Sequence, residues 1–392
     1  MAVQGTTGRR LWWLAALIAA LMLAVAGCGS DDDDEEAGDT GAAATTEATT
    51  GEECDSPDQV TLQLKWVTQA QFAGYYAAQE QGLYEDACLD VTIRPGGPDI
   101  VPEQAVLGGQ ADLGIDWLDN LLATRDQGEE IVNIAQVFAR SGMTEVAFKD
   151  TGIDSIDDLR GKKVGVWLGG NEHKLFAALT KNGIDPQKDA EIVAQPFDMN
   201  LLLNREVDAA AAMTYNELAQ VLEQKNPDTG KLYTLDELNV IKMSDVGTGA
   251  LEDGIFVTAD WLADEANQEI ATRFLKASFQ GWVFCRDNFE ECLQNVLDNG
   301  PTLGEGHQRW QLNEINALIW PNEAGIGVMN EADFDLTAQI AKDYEIIKKD
   351  ASRDAYDSTY AEAAVEELEA EGVDVKGEGY EKEEVEVTEG GE

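Results

Sequence analysis

Positive charge is scarce in this chain, which has 27 lysines and arginines, 76 aspartates and glutamates, and a formal net charge of −49. Such an excess repels nucleic acid and anionic membrane surfaces, so neither is expected as a partner. Histidine and cysteine are also rare, with two and five residues, and no Cys-x-x-Cys spacing occurs. Because His173 and His307 are far apart in the sequence, we expect no metal site. No Ser-His-Asp or His-metal pattern is visible, which argues against a catalytic site or a cofactor.

Long apolar runs are absent except for the sixteen residues from Leu11 to Ala26, which follow Arg9 and Arg10. A membrane span needs about 20 such residues, so the pattern favours a secretory signal peptide over residues 1–27. The residues around its end, Val25-Ala26-Gly27-Cys28, are similar to a bacterial lipoprotein box. We therefore expect lipidation of Cys28, whose acyl chains would anchor the mature protein to the outer side of the cell membrane. A conventionally cleaved signal followed by an incidental cysteine is the alternative.

Large apolar side chains are few in two further segments. Residues 28–56 contain four consecutive aspartates at 31–34 and then mostly Glu, Ala, Gly and Thr, which predicts a disordered acidic tether. Residues 371–392 contain nine acids and two lysines, so we expect a second disordered, solvated tail there.

Cys54, Cys88, Cys285 and Cys292 remain beside Cys28, and an even number in an exported protein suggests two disulfides. Cys54 precedes the first predicted strand and Cys88 precedes the second, so parallel pairing would bring both to one sheet edge. Cys285 and Cys292 flank a short stretch of helix. We predict the pairs 54–88 and 285–292; free thiols or other pairings are the alternatives.

The stretch from Val60 to Gly97 predicts a strand, a helix and a second strand. Apolar residues alternate with polar ones up to Trp66, helical spacing follows from Phe72, and alternation returns until Pro95-Gly96-Gly97. This order is a βαβ unit, and ligands bind beyond the carboxyl ends of the strands in such sheets. We therefore expect Trp66, Gln69, Gln71 and Phe72 at the mouth of a cleft.

The strand-helix alternation continues, and the body of the chain is too long for one ordinary core, so we predict an α/β protein with two lobes. The first part of lobe one is assigned to residues 57–148 and lobe two to residues 149–250. Other cleft candidates follow strand ends: Trp117 and Asn120, Ser141, Trp167 and Asn171, Tyr215-Asn216-Glu217, and Glu252-Asp253. Core packing, turn formation and helix starts are the alternative roles of these residues. Rings and acids, with Arg140 as the one evident base, favour a neutral or amino-bearing aromatic ligand over an anion.

Several of these segments carry a family resemblance. The string LKWVTQAQFAGYYAAQEQGLY with LDVTIRPGG, together with GQADLGIDW, KKVGVWLGGNEHKLFAAL, VDAAAAMTYNE and LEDGIFV, resembles the solute-binding proteins of ABC importers. The branch it resembles handles thiamine pyrimidine precursors and includes sulfonate-binding relatives, and the match covers roughly residues 57 to 345.

The resemblance implies a type II periplasmic-binding-protein fold, with a mostly parallel sheet in each lobe and a ligand cleft between the lobes. By the same resemblance, residues 251–370 return to lobe one as a strand and outer helices, and crossings near 144–149 and 246–252 form a hinge. It implies a monomer that binds a small heterocycle, closes over it and delivers it to ABC permease subunits. A thiamine pyrimidine precursor such as a hydroxymethylpyrimidine is the first choice of ligand, followed by riboflavin and then by a sulfonate or taurine-like solute.

Two other functions follow from the same resemblance. Fungal pyrimidine synthases share this fold, but they use a histidine, pyridoxal phosphate and a cysteine-rich motif. The QAQFAGYY loop has no histidine and the chain has no cysteine cluster, so we expect no enzyme. A sensor that docks on a membrane receptor is the third class.

Overall fold

The computed structural model describes Cys54 and residues 56–392. The predicted signal peptide, Cys28 and nearly all of the predicted tether lie outside these residues. In the part of the chain that is described, no helix is both long and apolar enough to cross a membrane.

The described residues form ten strands and fourteen α-helices, together with six short 3-10 turns. The strands are β1 (Asp58–Gln63), β2 (Leu89–Arg94), β3 (Leu113–Asp116), β4 (Ile131–Gln136), β5 (Met143–Phe148), β6 (Lys163–Val166), β7 (Glu191–Ala194), β8 (Ala209–Met213), β9 (Leu238–Lys242) and β10 (Gly254–Thr258). The helices are α1 (Ala73–Glu80), α2 (Leu83–Asp86), α3 (Pro102–Leu107), α4 (Leu118–Asp126), α5 (His173–Lys181), α6 (Asn200–Leu203), α7 (Glu217–Leu222), α8 (Met243–Val246), α9 (Ala259–Leu262), α10 (Glu265–Asp287), α11 (Phe289–Asn299), α12 (Glu305–Ile319), α13 (Glu331–Asp343) and α14 (Thr359–Ala370).

Two five-stranded sheets form the cores of the two lobes, in the orders β2-β1-β3-β10-β4 and β7-β6-β8-β5-β9. The predicted βαβ unit is present, since β1 runs parallel to β2 and also to β3. Strands β3, β4, β5 and β8 are buried along their whole length, as expected for strands covered on both faces. The predicted two-lobed α/β architecture is therefore confirmed.

The sheets are mixed, which corrects the expectation of mostly parallel pairing. In lobe one β10 is antiparallel to both β3 and β4, and in lobe two β5 is antiparallel to both β8 and β9. Strands β5 and β10 each directly follow a crossing between the lobes, so they enter the sheets against the direction of the βα units. Strand β9 was not predicted, because Asn239 and Lys242 obscure its alternation.

The lobe boundary lies earlier than predicted. Strand β5 pairs only within the second sheet, so the first crossing lies near residues 139–142 and not at 144–149. Residues 143–148 therefore belong to lobe two. The second crossing, between β9 and β10, includes the predicted segment 246–252.

The late helices pack on lobe one, and both predicted disulfides are present. Helix α10 packs against α1, α11 and α14, which places α10 and its neighbours over the first sheet. The Cα atoms of Cys54 and Cys88 are 5.6 Å apart, and those of Cys285 and Cys292 are 4.9 Å apart. The first pair joins the chain entering β1 to the start of β2, as strand pairing predicts.

Residues 371–392 are ordered against the body, which corrects the expectation of a disordered tail. Asn313 of α12 exchanges two hydrogen bonds with the backbone of Glu383, at 2.8 and 3.1 Å. Farther along, Glu389 pairs with Lys225 of lobe two at 2.6 Å, and Val387 packs against an apolar cluster of that lobe. The composition of this segment could not predict its order, because its hydrogen-bond and ion-pair partners lie on elements that are distant in the sequence.

Candidate ligand-binding site

A hollow lies between the two lobes at the carboxyl ends of β1, β3, β6 and β8. Its lining consists of Lys65, Trp66, Gln69, Gln71 and Trp117 from lobe one and Trp167, Asn171, Met213, Tyr215, Asn216 and Glu217 from lobe two. The cavity volume is only ≈ 20 Å³, which is room for about one water molecule. The lobes are therefore closed on each other, and a ring-sized solute needs them to separate or the side chains to move.

Aromatic rings form opposing walls of the hollow. Trp66 lies just beyond β1 and Trp167 just beyond β6, and their rings meet edge to face at 6.3 Å and 70°. Tyr215 follows β8 and packs edge to face on Phe138 at 6.2 Å. Trp167 is also held by a 3.0 Å hydrogen bond from its Nε1 to the carbonyl oxygen of Pro196. Aromatic side chains from both lobes thus border the same space, which suits an aromatic solute.

Trp117, at the end of β3, has two lysine ammonium groups close to its ring. Its Nε1 donates a 3.1 Å hydrogen bond to Oδ1 of Asp253. The ammonium group of Lys174, from lobe two, lies 3.6 Å from a ring centroid of Trp117, and that of Lys65 lies 4.7 Å away. The ring is therefore a cation-π platform that joins the two lobes.

Lys65 is buried and ion-paired below the hollow. Its ammonium group contacts the carboxylate of Asp116, which also accepts a 3.0 Å hydrogen bond from Asn120 Nδ2. Burial lowers the pKa of Lys65, but Asp116 outweighs this and raises it. Burial, and then Asp116, raise the pKa of neighbouring Glu103 well above its usual range. Asp116 is therefore the acid in direct contact with Lys65, and Glu103 lies nearby.

An amide chain runs along the lobe-one side. Gln69 Nε2 donates to Gln71 Oε1 at 2.7 Å, and Gln71 Nε2 donates to Asp253 Oδ2 at 2.7 Å. Burial is the main cause that raises the pKa of Asp253 to about 6. From α12, Gln308 and Gln311 accept hydrogen bonds from the backbone nitrogens of residues 70 and 71, which fixes this loop.

Glu217 is the acid of the lobe-two wall. Its Oε2 accepts a 3.0 Å hydrogen bond from the nitrogen of Met213, and its Oε1 accepts one of 2.8 Å from Asn216 Nδ2. Burial raises its pKa to about 7 despite these bonds. Glu217 can therefore be charged or neutral near physiological pH, and each carboxylate oxygen keeps a further lone pair for a ligand.

Asn171 and Gly170 bring the loop after β6 against lobe one. Asn171 Oδ1 is buried and has no hydrogen-bond partner among the described residues, so it is an acceptor available at the hollow. Gly170 has a φ of +115°, and a Cβ there would lie 2.5 Å from Oδ1 of Asn120 in α4. Only glycine allows this approach between the lobes.

A buried ion pair also joins the lobes. Asp119, in the first turn of α4, lies 3.5 Å from Lys174 Nζ and 3.5 Å from His173 Nδ1 of α5. Burial raises the pKa of Asp119, but Lys174 and His173 outweigh it and lower the pKa to about 2. Both Asp119 and Lys174 are fully buried, so the pair exists only while the lobes are closed.

Glu252 acts at the crossings and not at the hollow. Its carboxylate accepts hydrogen bonds from Ser141 Oγ at 2.6 Å and from the nitrogen of Gly142 at 2.7 Å. It thus fastens the second crossing to the first. Burial raises the pKa of Glu252 to about 7.

Nine of the fourteen predicted ligand-binding residues line the hollow: Trp66, Gln69, Gln71, Trp117, Trp167, Asn171, Tyr215, Asn216 and Glu217. The other five do not line the hollow. Phe72 is buried in the core, Asn120 is hydrogen-bonded to Asp116, and Asp253 is hydrogen-bonded to Trp117. Ser141 and Glu252 are hydrogen-bonded to each other at the crossings. Arg140, expected as the one base of the cleft, instead donates to the carbonyl oxygens of Leu318, Trp320 and Pro321.

Sequence reasoning missed Lys65, Met213, Lys174 and His307. Lys65 is a charge next to the apolar end of a strand, which is a usable signal. No sequence signal marks Lys174 or His307 as a site residue, because only helix packing brings them close to the hollow. The expectation that Arg140 is the one base of the cleft is therefore wrong, since Lys65 lines the hollow and Lys174 lies against Trp117, each paired with an acid.

Comparison with known proteins gives one family match. The family described as NMT1/THI5 like matches residues 69–292, which is more than half of the chain.

Several known proteins are similar in sequence, and three of them show the range of functions. The riboflavin-binding protein RibY of Chloroflexus aurantiacus is 25% identical over 274 residues, covering 68% of this chain and 74% of that protein. The formylaminopyrimidine-binding protein of Halalkalibacterium halodurans is 23% identical over 257 residues, covering 64% and 74%. A 4-amino-5-hydroxymethyl-2-methylpyrimidine phosphate synthase of Legionella pneumophila is 30% identical over 130 residues, but this covers only 33% of this chain and 40% of the enzyme.

Solved structures share the fold at low sequence identity. The nitrate-binding protein NrtA of Synechocystis matches with a TM-score of 0.59 and 14% identity, covering 82% of this chain and 92% of that one. The alkanesulfonate-binding protein SsuA of Xanthomonas axonopodis, solved with MOPS, matches with a TM-score of 0.56 and 15% identity, covering 76% and 96%. These likenesses confirm the predicted periplasmic-binding-protein fold.

Proposed function

Because the chain belongs to the NMT1/THI5-like family, we propose that it is an extracytoplasmic solute-binding protein that captures a small aromatic heterocycle. The first choice of ligand is a thiamine pyrimidine precursor such as 4-amino-5-hydroxymethyl-2-methylpyrimidine. The ligand is held between the lobes and delivered to the permease subunits of an ABC importer. Cys28 attaches the protein to the membrane, and the binding unit is a monomer.

One observation carries this proposal: aromatic rings from both lobes face one hollow whose free polar groups are mainly acceptors. Trp66, Trp167 and Tyr215 offer faces to a planar ring, with stacking worth about 1 kcal/mol per pair beyond the buried area. Glu217 and Asn171 offer oxygen atoms to an amino group or a ring NH. An aminopyrimidine presents these features together.

The same electrostatics disfavour sulfonate and nitrate. Lys65 lines the hollow and Lys174 lies against the ring of Trp117, and each of these two lysines already has a carboxylate partner. An anion would lose its hydration without an unpaired donor to replace it, while Glu217 would repel it. The likeness to nitrate- and alkanesulfonate-binding structures supports the fold and not the ligand.

Riboflavin is the second candidate, because a relative at 25% identity is named for riboflavin binding. Its three fused rings would need a much larger hollow than the present ≈ 20 Å³. A one-ring pyrimidine requires less opening, so we rank it first.

An enzyme is the candidate of another class, since synthases of a pyrimidine phosphate occur among the relatives. The overlap covers less than half of that enzyme, whereas the proteins named for binding overlap over most of their length. Incubation with pyridoxal phosphate and iron, followed by chromatography for a pyrimidine product, separates the two classes. Formation of product would make the protein an enzyme.

Isothermal titration calorimetry of the mature protein tests the proposal. Aminopyrimidines, flavins and alkanesulfonates are titrated separately, with nitrate and taurine as further controls. We expect saturable binding of an aminopyrimidine with a negative heat-capacity change, because apolar surface is buried. Binding of a sulfonate or nitrate alone would contradict the assignment.

A further inference from the structure

His307 links the two lobes next to the hollow but does not line it. It lies on α12, which packs against α11 and against the Ala70–Phe72 turn of lobe one. Its Nε2 is 2.8 Å from Asn216 Oδ1, and its Nδ1 is 2.7 Å from Glu223 Oε1, both on the lobe-two side. Asn216 in turn binds the carboxylate of Glu217. A continuous chain of contacts therefore runs from Glu223 through the imidazole ring to the acid of the hollow.

Oxygen atoms face both nitrogens of the His307 ring. Asn216 Nδ2 donates to Glu217, so Asn216 Oδ1 points at His307 and accepts from Nε2–H. The other ring nitrogen faces an oxygen of the Glu223 carboxyl group. Because both partners are oxygen acceptors, this arrangement favours a ring that donates from both nitrogens.

The segment that contains residues 387–392 encloses this contact. The nitrogen of Gly390 donates a 3.0 Å hydrogen bond to the carbonyl oxygen of Glu223, and Glu389 pairs with Lys225. Gly391 has a φ of +74°, and a Cβ there would lie 2.7 Å from Cβ of His307. The imidazole is held from a third direction and is largely screened from water.

We propose that His307 is a positioning residue, which orients Asn216 and favours the charged form of Glu217 as an acceptor for the ligand's amino group or ring NH. This inference rests on the proposed function. Among the charged groups on the surrounding elements, Glu223 contacts His307 directly, and Glu217 lies beyond Asn216. Glu389 on the C-terminal segment pairs with Lys225, and Glu305 pairs with Arg309 on the exposed side of α12. The His307 charge opposes the rise that burial causes in the pKa of Glu217.

Two near-isosteric variants separate the two contacts. His307→Gln keeps a donor where Nε2 faces Asn216 and loses the charge, whereas His307→Asn keeps a donor only where Nδ1 faces Glu223. Arg309→Gln is the matched control, because it removes a cation two residues away whose partners, Glu290 and Glu305, lie on the exposed face.

Affinity for 4-amino-5-hydroxymethyl-2-methylpyrimidine, or for riboflavin if only that binds, is measured by calorimetry from pH 5.5 to pH 8.5. We expect His307→Asn to weaken binding about tenfold at pH 7 and His307→Gln only about threefold, since a hydrogen bond to a charged network is involved. Both variants should shift the rise of affinity with pH to higher pH, because Glu217 loses a neighbouring cation. Arg309→Gln should match the wild type. Unchanged affinity and pH dependence in both His307 variants would overturn the proposal.

A measurement without ligand keeps the test independent of the proposed function. The chain has two histidines, so the His307 signals in a ¹⁵N imidazole spectrum are assigned by their loss in His307→Gln. We expect both ring nitrogens of His307 to be protonated at pH 7 and the charge to be lost in Glu223→Gln. A neutral imidazole in the wild type would overturn the arrangement. If the wild type bound none of the probes, the proposed function would fail while the spectrum still decided the state of His307.

Discussion

Replacing Trp66 by alanine removes one aromatic wall of the hollow and little else. The side chain of Trp66 is half-buried, and its backbone oxygen still accepts the hydrogen bond from Gly96 in the variant. The ring contacts Trp167 across the interface between the lobes. Trp66→Ala should therefore weaken ligand binding and closure of the lobes, and it should change the stability of the ligand-free protein only slightly.

The magnitude follows from the area that the indole ring presents. About 100 Å² of apolar contact at ~25 cal/mol per Å² gives ~2.5 kcal/mol, and stacking adds about 1 kcal/mol. In the variant, water and the ring of Trp167 partly refill the space left by the indole ring. We therefore expect about half of this binding free energy to be lost. The affinity should fall about twentyfold, since 1.4 kcal/mol corresponds to about tenfold.

Calorimetry with the aminopyrimidine measures the affinity, and a thermal melt without ligand measures stability. The melting midpoint should move by less than about 4 °C. Trp66→Phe keeps a ring and should lose only about threefold in affinity. Val67→Ala is the matched control, because the neighbouring side chain is 39% exposed and does not line the hollow. Wild-type affinity in Trp66→Ala, with tight binding in the parent protein, would refute the assignment of the ring wall.

Three further predictions concern stability. Burial raises the pKa of Glu217 from 4.5 to about 7 and that of Asp253 from 3.8 to about 6, so the folded state holds protons that the unfolded state has released. The free energy of unfolding should therefore decrease as the pH rises from about 4 to about 7 and then level off. Urea titrations at several pH values measure this free energy. An increase in stability between about pH 4 and about pH 7 would contradict the prediction. Asp119→Asn leaves Lys174 buried without its carboxylate partner and should lower the free energy of unfolding by about 3 kcal/mol. In the same urea titrations, the double variant Asp119→Asn with Lys174→Met should regain much of that stability. If the double variant were no better than the single one, the buried charge would not be the cause. The double variant Cys54→Ser with Cys88→Ser opens a loop with a sequence separation of 34 and should lower the free energy of unfolding by about 4 kcal/mol. Removal of the 285–292 disulfide, with a separation of 7, should lower it by only about 2.5 kcal/mol. Equal unfolding midpoints in denaturant for the two double variants would contradict this ordering.

Glu217 shows how the structure changes a sequence-based prediction. The sequence predicts only that Glu217 lies at the cleft, just after the end of a strand. The carboxylate is 1% exposed and accepts hydrogen bonds from Met213 and Asn216, which alanine leaves without partners. Trp66 is therefore the cleaner test of the site, because its removal leaves no buried donor unpaired.

Local patterns determined the elements and the ends of strands. The alternation up to Trp66, the helical spacing after it and the glycines after Trp167 each depend on neighbours within a few residues, so nine of the lining residues were found. The disulfides were predictable for the same reason, since parallel pairing of β1 with β2 brings Cys54 beside Cys88.

Tertiary structure alone decided the contacts between distant elements. His307 reaches Asn216 from 91 residues away, and Lys174 reaches Asp119 from 55 residues away, through the packing of α12 and α5. It also decided that β5 belongs to lobe two and that residues 371–392 lie against α12 and lobe two. The physical reason is that periodicity encodes which face of an element is apolar, whereas the charge state and partner of a buried polar group depend on which other element covers it.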